Sequence, residues 1–115
     1  MDNLKKYIAA LTGFSEQSWR ALCNCMTKME FKRNEQLLKE GQICNSIFFI
    51  SSGFCKSYYN LDGKEINTAF YFENEFATNI KSLTTSSKSD YNIKACGKTI
   101  VVRFDKAKLL EAYSQ

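Results

Sequence analysis

Histidine is absent from the 115 residues, and so is proline. Without histidine the chain lacks the commonest general base, and a cupin-type metal site, which takes several histidines and a carboxylate, has no ligands to use. Acid–base chemistry would fall to carboxylates such as Glu73 and Glu75, which read instead as a solvated loop edge. No apolar run approaches the ~20 residues of a membrane span. The opening Met-Asp-Asn-Leu-Lys-Lys-Tyr has none of the apolar h-region of a secretory signal. The expectation is a non-enzymatic, cytoplasmic protein with no membrane partner. Cysteine is present but unorganised. Cys23, Cys25, Cys44, Cys55 and Cys96 are an odd set without framework spacing, as expected of reduced thiols. Cys23-Asn24-Cys25 is expected on a helix, where residues two apart point to different faces. An iron–sulfur or zinc centre needs about four ligands at close spacing, so no metal and no cofactor is expected.

What is present suits one globular domain spanning 1–115. Hydrophobic residues make up 44% and aromatics 14%, enough for a β-rich core, and a chain of this length buries roughly two-thirds of its unfolded surface. Sixteen Lys+Arg against 12 Asp+Glu leave +4, too mild to imply nucleic-acid binding on its own. Lys81, Lys88, Lys94, Lys98, Arg103, Lys106 and Lys108 face only Asp90 and Asp105 in the same stretch. They read as a solvated strand face, with an anion-attracting cleft or a face toward DNA as the alternatives.

The informative stretch runs from Leu38 to Phe76. Ile47–Ile50 is a buried-strand run closed by Ser51-Ser52-Gly53. Phe54–Leu61 is a second strand, and Asp62-Gly63 precedes a third from Glu65 to Phe72. Asp-Gly between two β-rich runs is a hairpin signal, because both central residues of a type I′ turn need positive φ. Before this stretch, Leu4, Tyr7, Ile8 and Leu11 share one face of a short helix. Ser15 then caps a second helix carrying Trp19, Leu22, Cys23 and Met26 at helical spacing, a stripe expected to contact the core. Strand-like spacing begins at Met29 and includes Phe31 and Leu37-Leu38. After the hairpins come further strands, expected at Phe76–Leu83, Tyr91–Ala95 and Thr99–Phe104. A polar segment from Thr84 to Asp90 separates the first two, and Ile100-Val101-Val102-Arg103-Phe104 reads as interior. Asp105 is a plausible cap for a last helix through Leu109, Leu110 and Tyr113. About seven or eight short strands between helical ends predict a mainly β fold, a double-stranded β-helix or jelly-roll-like β-roll flanked by N- and C-terminal helices. Of these residues Ile47, Phe49, Ile100 and Val102 are expected in the core.

Leu38, Glu40-Gly41, Ile47-Phe48-Phe49-Ile50, Ser52-Gly53, Asp62-Gly63-Lys64-Glu65 and Phe76, taken together, resemble the cyclic-nucleotide-binding β-roll of Crp/Fnr-type transcription regulators. The resemblance covers nearly all of residues 4–115. It implies a sensory domain responding to a small-molecule effector, of unknown identity here. It also implies a homodimer in the full-length protein, and DNA contact only through a C-terminal helix-turn-helix domain, reached by a dimerisation helix, that this sequence does not contain. In that family a cassette Phe-Gly-Glu-Leu, with Arg-Ser/Thr-Ala further on, holds the nucleotide. Helix-end and glycine-exposed amides bind the phosphate, Arg pairs with it, and Glu accepts from the ribose. Counted without gaps from Asp62 to Phe76, the first motif falls on Ala77-Thr78-Asn79-Ile80 and the second on Ser89-Asp90-Tyr91, with Ala95 retained beyond. Gly is thus replaced by Thr78, Glu by Asn79 and Arg by Ser89. Asp90 would repel an anion, while Lys88 is one residue out of register. The resemblance therefore implies a degenerate cassette at Thr78, Asn79, Ile80, Lys88, Ser89, Asp90 and Tyr91 that does not respond to cyclic AMP. Three readings stay open: solvated turn residues of a roll without ligand, a pocket for another effector or partner, or a true nucleotide receptor in which Asn79 and Lys88 replace the usual Glu and Arg.

Overall fold

The computed structural model describes Arg20 and residues 23–113. The expected helix through Leu4–Leu11, and most of the one capped by Ser15, lie outside those residues. Among the described residues are eight strands: β1 (Met26–Phe31), β2 (Gln36–Leu38), β3 (Ser46–Ser52), β4 (Cys55–Leu61), β5 (Lys64–Tyr71), β6 (Phe76–Ala77), β7 (Asn92–Ala95) and β8 (Thr99–Asp105). Two helices, α1 (Ile80–Thr85) and α2 (Lys106–Tyr113), complete them. The strands form two antiparallel four-stranded sheets, ordered β1-β8-β3-β6 and β2-β7-β4-β5. The mainly β roll expected from the sequence is therefore the fold.

The turn at Asp62-Gly63 has the expected chemistry. Asp62 sits at φ 51° and Gly63 at φ 80°, and Leu61 pairs with Lys64 directly across them, which is the geometry a two-residue hairpin loop requires. Further along, the β4–β5 ladder shifts between Ser57 and Tyr58. A bulge of this kind bends the strand and makes the free edge of β5 a poorer template for pairing with another chain.

β3 is a continuous apolar run because it is covered on both faces. Phe48 and Ile50 turn into the space between the sheets, with Phe31, Leu38, Cys55, Ala77, Leu83, Ile93, Ala95 and Val101. Phe49 turns the other way, onto Val102 and Phe104, where Met26, Phe76 and Leu109 pack against them. Of the four expected core positions Phe49 and Val102 are buried, whereas Ile47 and Ile100 are half-buried. On the outer face of the β4–β5 hairpin the exposed rings of Phe54, Phe72 and Phe70 stack in a row, with centroids 5.7 and 6.3 Å apart.

Two boundaries differ from expectation. Met26 was expected on the second helix together with Cys23-Asn24-Cys25. Cys23 is helical, Asn24 and Cys25 form a turn, and Met26 already pairs with Phe104 as the first residue of β1. Six consecutive pairings with β8 outweigh a local spacing that fits a helix equally well. The expected strand Phe76–Leu83 is a strand only at Phe76–Ala77, and from Ile80 it is α1. The cause is Asn79. Its extended backbone (φ −111°, ψ 99°) and its side chain, which accepts from the Ser82 amide, make it a helix N-cap.

Candidate functional site

The segment from Ala77 to Asn92 contains all seven cassette positions and folds as a strand end, a short helix and a return loop. Thr78 leaves β6 and donates its hydroxyl to the Ser46 carbonyl at 2.8 Å, with the Cys44 thiol 3.3 Å away. Asn79 is buried and uses both ends of its amide. Oδ1 takes the Ser82 amide at 3.1 Å, while Nδ2 donates to the Ser89 hydroxyl at 2.9 Å and toward Asp90 Oδ1 at 3.3 Å. Ser89, also buried, donates its hydroxyl to the Tyr91 carbonyl at 2.7 Å. The Tyr91 hydroxyl returns to the Thr78 carbonyl at 3.0 Å. Thr78, Asn79, Ser89, Asp90 and Tyr91 are thus brought together in one hydrogen-bonded ring. Ile80 and Lys88 stand outside it. Ile80 is 61% exposed, and Lys88 is an exposed residue whose backbone bridges to Ile43.

The ring is electrically neutral apart from Asp90. Its groups are amides, hydroxyls and carbonyls, and no side-chain nitrogen or oxygen buried among the described residues lacks a partner. Tyr91 carries the largest perturbation there. Burial pushes its hydroxyl up to about 12, and the neighbouring Tyr71 and Asp90 add to the effect. It therefore stays a protonated donor at any physiological pH.

Three further residues belong to the site, and only long-range contacts reveal them. Ser82, buried on α1, receives the Cys44 amide at 2.7 Å and donates to the Ser87 carbonyl at 2.6 Å. Gly41 and Gln42 bracket Ser89 through two backbone bonds of 2.8 and 2.7 Å. The β2–β3 loop, the helix and the return loop are thereby tied to one another. A serine in a polar run carries no local signal for such a role.

Three of the seven basic residues from Lys81 to Lys108 are held in separate ion pairs. Lys94 joins Lys56 on Glu65 at 2.8 and 3.2 Å, and hydrogen bonds from Lys94 and Lys56 hold that carboxyl below its usual range. Lys98 pairs with Glu30 and Arg103 with Asp105. Among the described residues no group of three or more Cys, Asp or Glu side chains is placed to hold a metal, and no helix is long and apolar enough to cross a membrane.

A family model described as the cyclic nucleotide-binding domain matches residues 28–115. The chain belongs to the cyclic nucleotide-binding domain family. Among curated proteins no sequence relative matches. Solved structures share the fold. The sensor domain of the transcriptional regulator DNR from Pseudomonas aeruginosa superposes with a TM-score of 0.79 at 13% identity, over 100% of this chain and 81% of its own. The Thermus thermophilus catabolite activator protein gives 0.76 at 13% identity, over 90% of this chain and 49% of its own. The regulatory domain of Toxoplasma gondii PKA, crystallised with cAMP, gives 0.81 at 12% identity, over 97% and 43%. The chain thus spans about half or less of the length of the last two. A cyclic nucleotide-binding domain is a regulatory module, and the neighbours include both gene regulators and kinase subunits.

Proposed function

We propose that these residues form the sensory domain of a Crp/Fnr-type transcription regulator whose cassette has lost its nucleotide determinants, so that it does not answer to cyclic AMP. The observation that carries this reading is the 2.9 Å bond from Asn79 to Ser89. In the register the resemblance implies, these two positions would be Glu and Arg, the ribose acceptor and the phosphate partner. Here they are a neutral pair satisfying each other, and the Asn79 Oδ1 that would replace the ribose acceptor already receives the Ser82 amide. An anionic phosphate would lose a charge-assisted partner worth roughly twice a neutral hydrogen bond and would meet Asp90 beside the ring. The exposed Lys88 makes its backbone bridge to Ile43 and is not part of the ring, which weighs against its serving as a substitute for Arg. The effector is then a small molecule other than a cyclic nucleotide. In the full-length protein, a homodimer, DNA is read by a domain beyond these residues. Calorimetric titration with cyclic AMP and cyclic GMP tests the reading: no heat at millimolar nucleotide is expected, and a micromolar dissociation constant for either would overturn it.

A further inference from the structure

Resting on that reading of the cassette, we infer that the ring around Asn79 is a built-in latch, which holds α1 against the roll with the protein's own hydrogen bonds and without any ligand. α1 is only six residues long, Ile80–Thr85, far too short to be stable in water on its own account. Its apolar anchorage is slight. Leu83 is its one buried hydrophobic side chain, and Ile80 at its start lies 61% exposed. What remains is polar and buried. Asn79, Ser82 and Ser89 are 4%, 1% and 3% exposed, and their bonds tie the helix to the β2–β3 loop and the return loop: Cys44 and Ser87 on Ser82, Ser89 on Asn79, and Gln42 and Gly41 on the Ser89 backbone. Tyr91 closes the ring on Thr78. Fully satisfied buried networks of this kind rigidify, because breaking one member strands the others away from water. α1 is therefore held in place by the chain's own groups. An effector must open the latch to move α1.

Hydrogen exchange read residue by residue tests this. Asn79→Asp keeps the acceptor for the Ser82 amide, loses the donor to Ser89 and sets a second carboxylate against Asp90, so the cap survives while the latch is forced apart. Ser89→Ala cuts it from the other side, and Tyr91→Phe removes the hydroxyl that bonds the Thr78 carbonyl and Tyr71, with the ring shape retained. In Asn79→Asp and Ser89→Ala the amides of Ser82 and Leu83 should exchange roughly tenfold faster or more, with a smaller rise in Tyr91→Phe and the β3 and β8 amides unchanged. Wild-type exchange at Ser82 and Leu83 in all three variants would overturn the latch, and so would acceleration shared equally by the central strands. Cyclic AMP added to the wild-type chain separates the two claims. Binding would overturn the cassette reading beneath the latch, whereas no binding together with wild-type exchange at Ser82 and Leu83 in the three variants overturns the latch alone.

Discussion

Phe49 meets Phe76 edge-on, ring centroids 5.1 Å apart at 61°, on the face of β3 that points away from the space between the sheets. This contact joins the central strand to the short strand from which the cassette departs. Together with Val102 and Phe104 it forms a second, smaller core. Truncation there should be costly. Phe49→Ala is expected to lose about 3–5 kcal/mol and Val102→Ala about 2 kcal/mol, while the half-buried Ile47 and Ile100 should each lose about 1 kcal/mol on the same change. Denaturant unfolding measures all four, and equal losses would mean that the deeper burial of Phe49 and Val102 does not set the cost of truncation.

Much of this architecture is legible in the residues themselves. Asp62-Gly63 announces its turn because few other pairs tolerate two positive φ values in succession, and the run Ile47–Ile50 announces a strand covered on both sides. The cassette helix is less legible. Phe76, Ala77, Ile80 and Leu83 suit a strand as well as a helix over so short a span, and only the bonds made by Asn79 decide between them. The cap could have been suspected from Asn79 itself, a favoured N-cap residue. The roles of Ser82, Cys44 and Gln42 could not, because they depend on partners brought near by the sheets. Met26 shows the same limit, since its pairing with Phe104 lies 78 residues away in sequence.

Gly53 occupies a position where both space and conformation exclude a side chain. Its φ is +88°, and a Cβ there would stand 2.5 Å from the Lys98 carbonyl oxygen and 2.9 Å from Thr99 Cα, both backbone atoms that cannot swing aside. Gly63, at φ +80°, has open space around it. Gly53→Ala should therefore cost about 2–4 kcal/mol and Gly63→Ala about 1 kcal/mol. Thermal melts of the pair separate strain from crowding, and similar losses for both would show that the close approach of Lys98 relaxes freely.

Burial should make the thiols unequal and the fold sensitive to alkali. Burial pushes the Cys55 thiol up to about 12, with Cys96 adding to the effect, so at pH 8 only about one molecule in ten thousand carries a reactive thiolate there. Cys23 and Cys96 are half-buried and should react with a thiol reagent in the native state; Cys44 and Cys55 should react only after unfolding. Cys55 and Tyr91 also set the sign of the alkaline response. Both bind their protons more tightly folded than unfolded. Their contribution is complete below the unfolded values, about 9 for the thiol and 10 for the phenol, and is lost as pH rises toward about 12. Stability measured by urea midpoint should fall steadily above pH 9, less steeply in Tyr91→Phe, and a flat profile to pH 11 would contradict the burial of both groups.

The residues described here should not read DNA. Lys94 is paired with Glu65 and Lys98 with Glu30, which takes two lysines of the second half out of any basic face, and the two helices carry only Lys81 on α1 and Lys106 and Lys108 on α2. Anisotropy titration at physiological salt should find only weak association, steeply reduced by added salt. Tight binding that discriminates between sequences would place DNA recognition inside the roll itself.

The sharpest expectation concerns restoration. If Thr78, Asn79 and Ser89 stand where Gly, Glu and Arg would hold a nucleotide, each removes a different part of the site: backbone access, the ribose acceptor and the phosphate charge. At about 1–3 kcal/mol for each missing contact, an affinity in the micromolar range falls to about 1 mM or weaker. The triple change Thr78→Gly, Asn79→Glu and Ser89→Arg reverses all three at once. It also dismantles the ring, because Arg and Glu at these positions pair through charge and leave the Tyr91 carbonyl without the Ser89 hydroxyl. Calorimetry should show cyclic AMP binding in the triple variant and none in the wild type. The double change without Thr78→Gly should recover less, since the Thr78 hydroxyl remains bonded to Ser46 and keeps its bulk over the amides a phosphate would approach. A triple variant that folds with wild-type circular dichroism and still ignores cyclic AMP would mean that the register is wrong or that the space above the ring is closed.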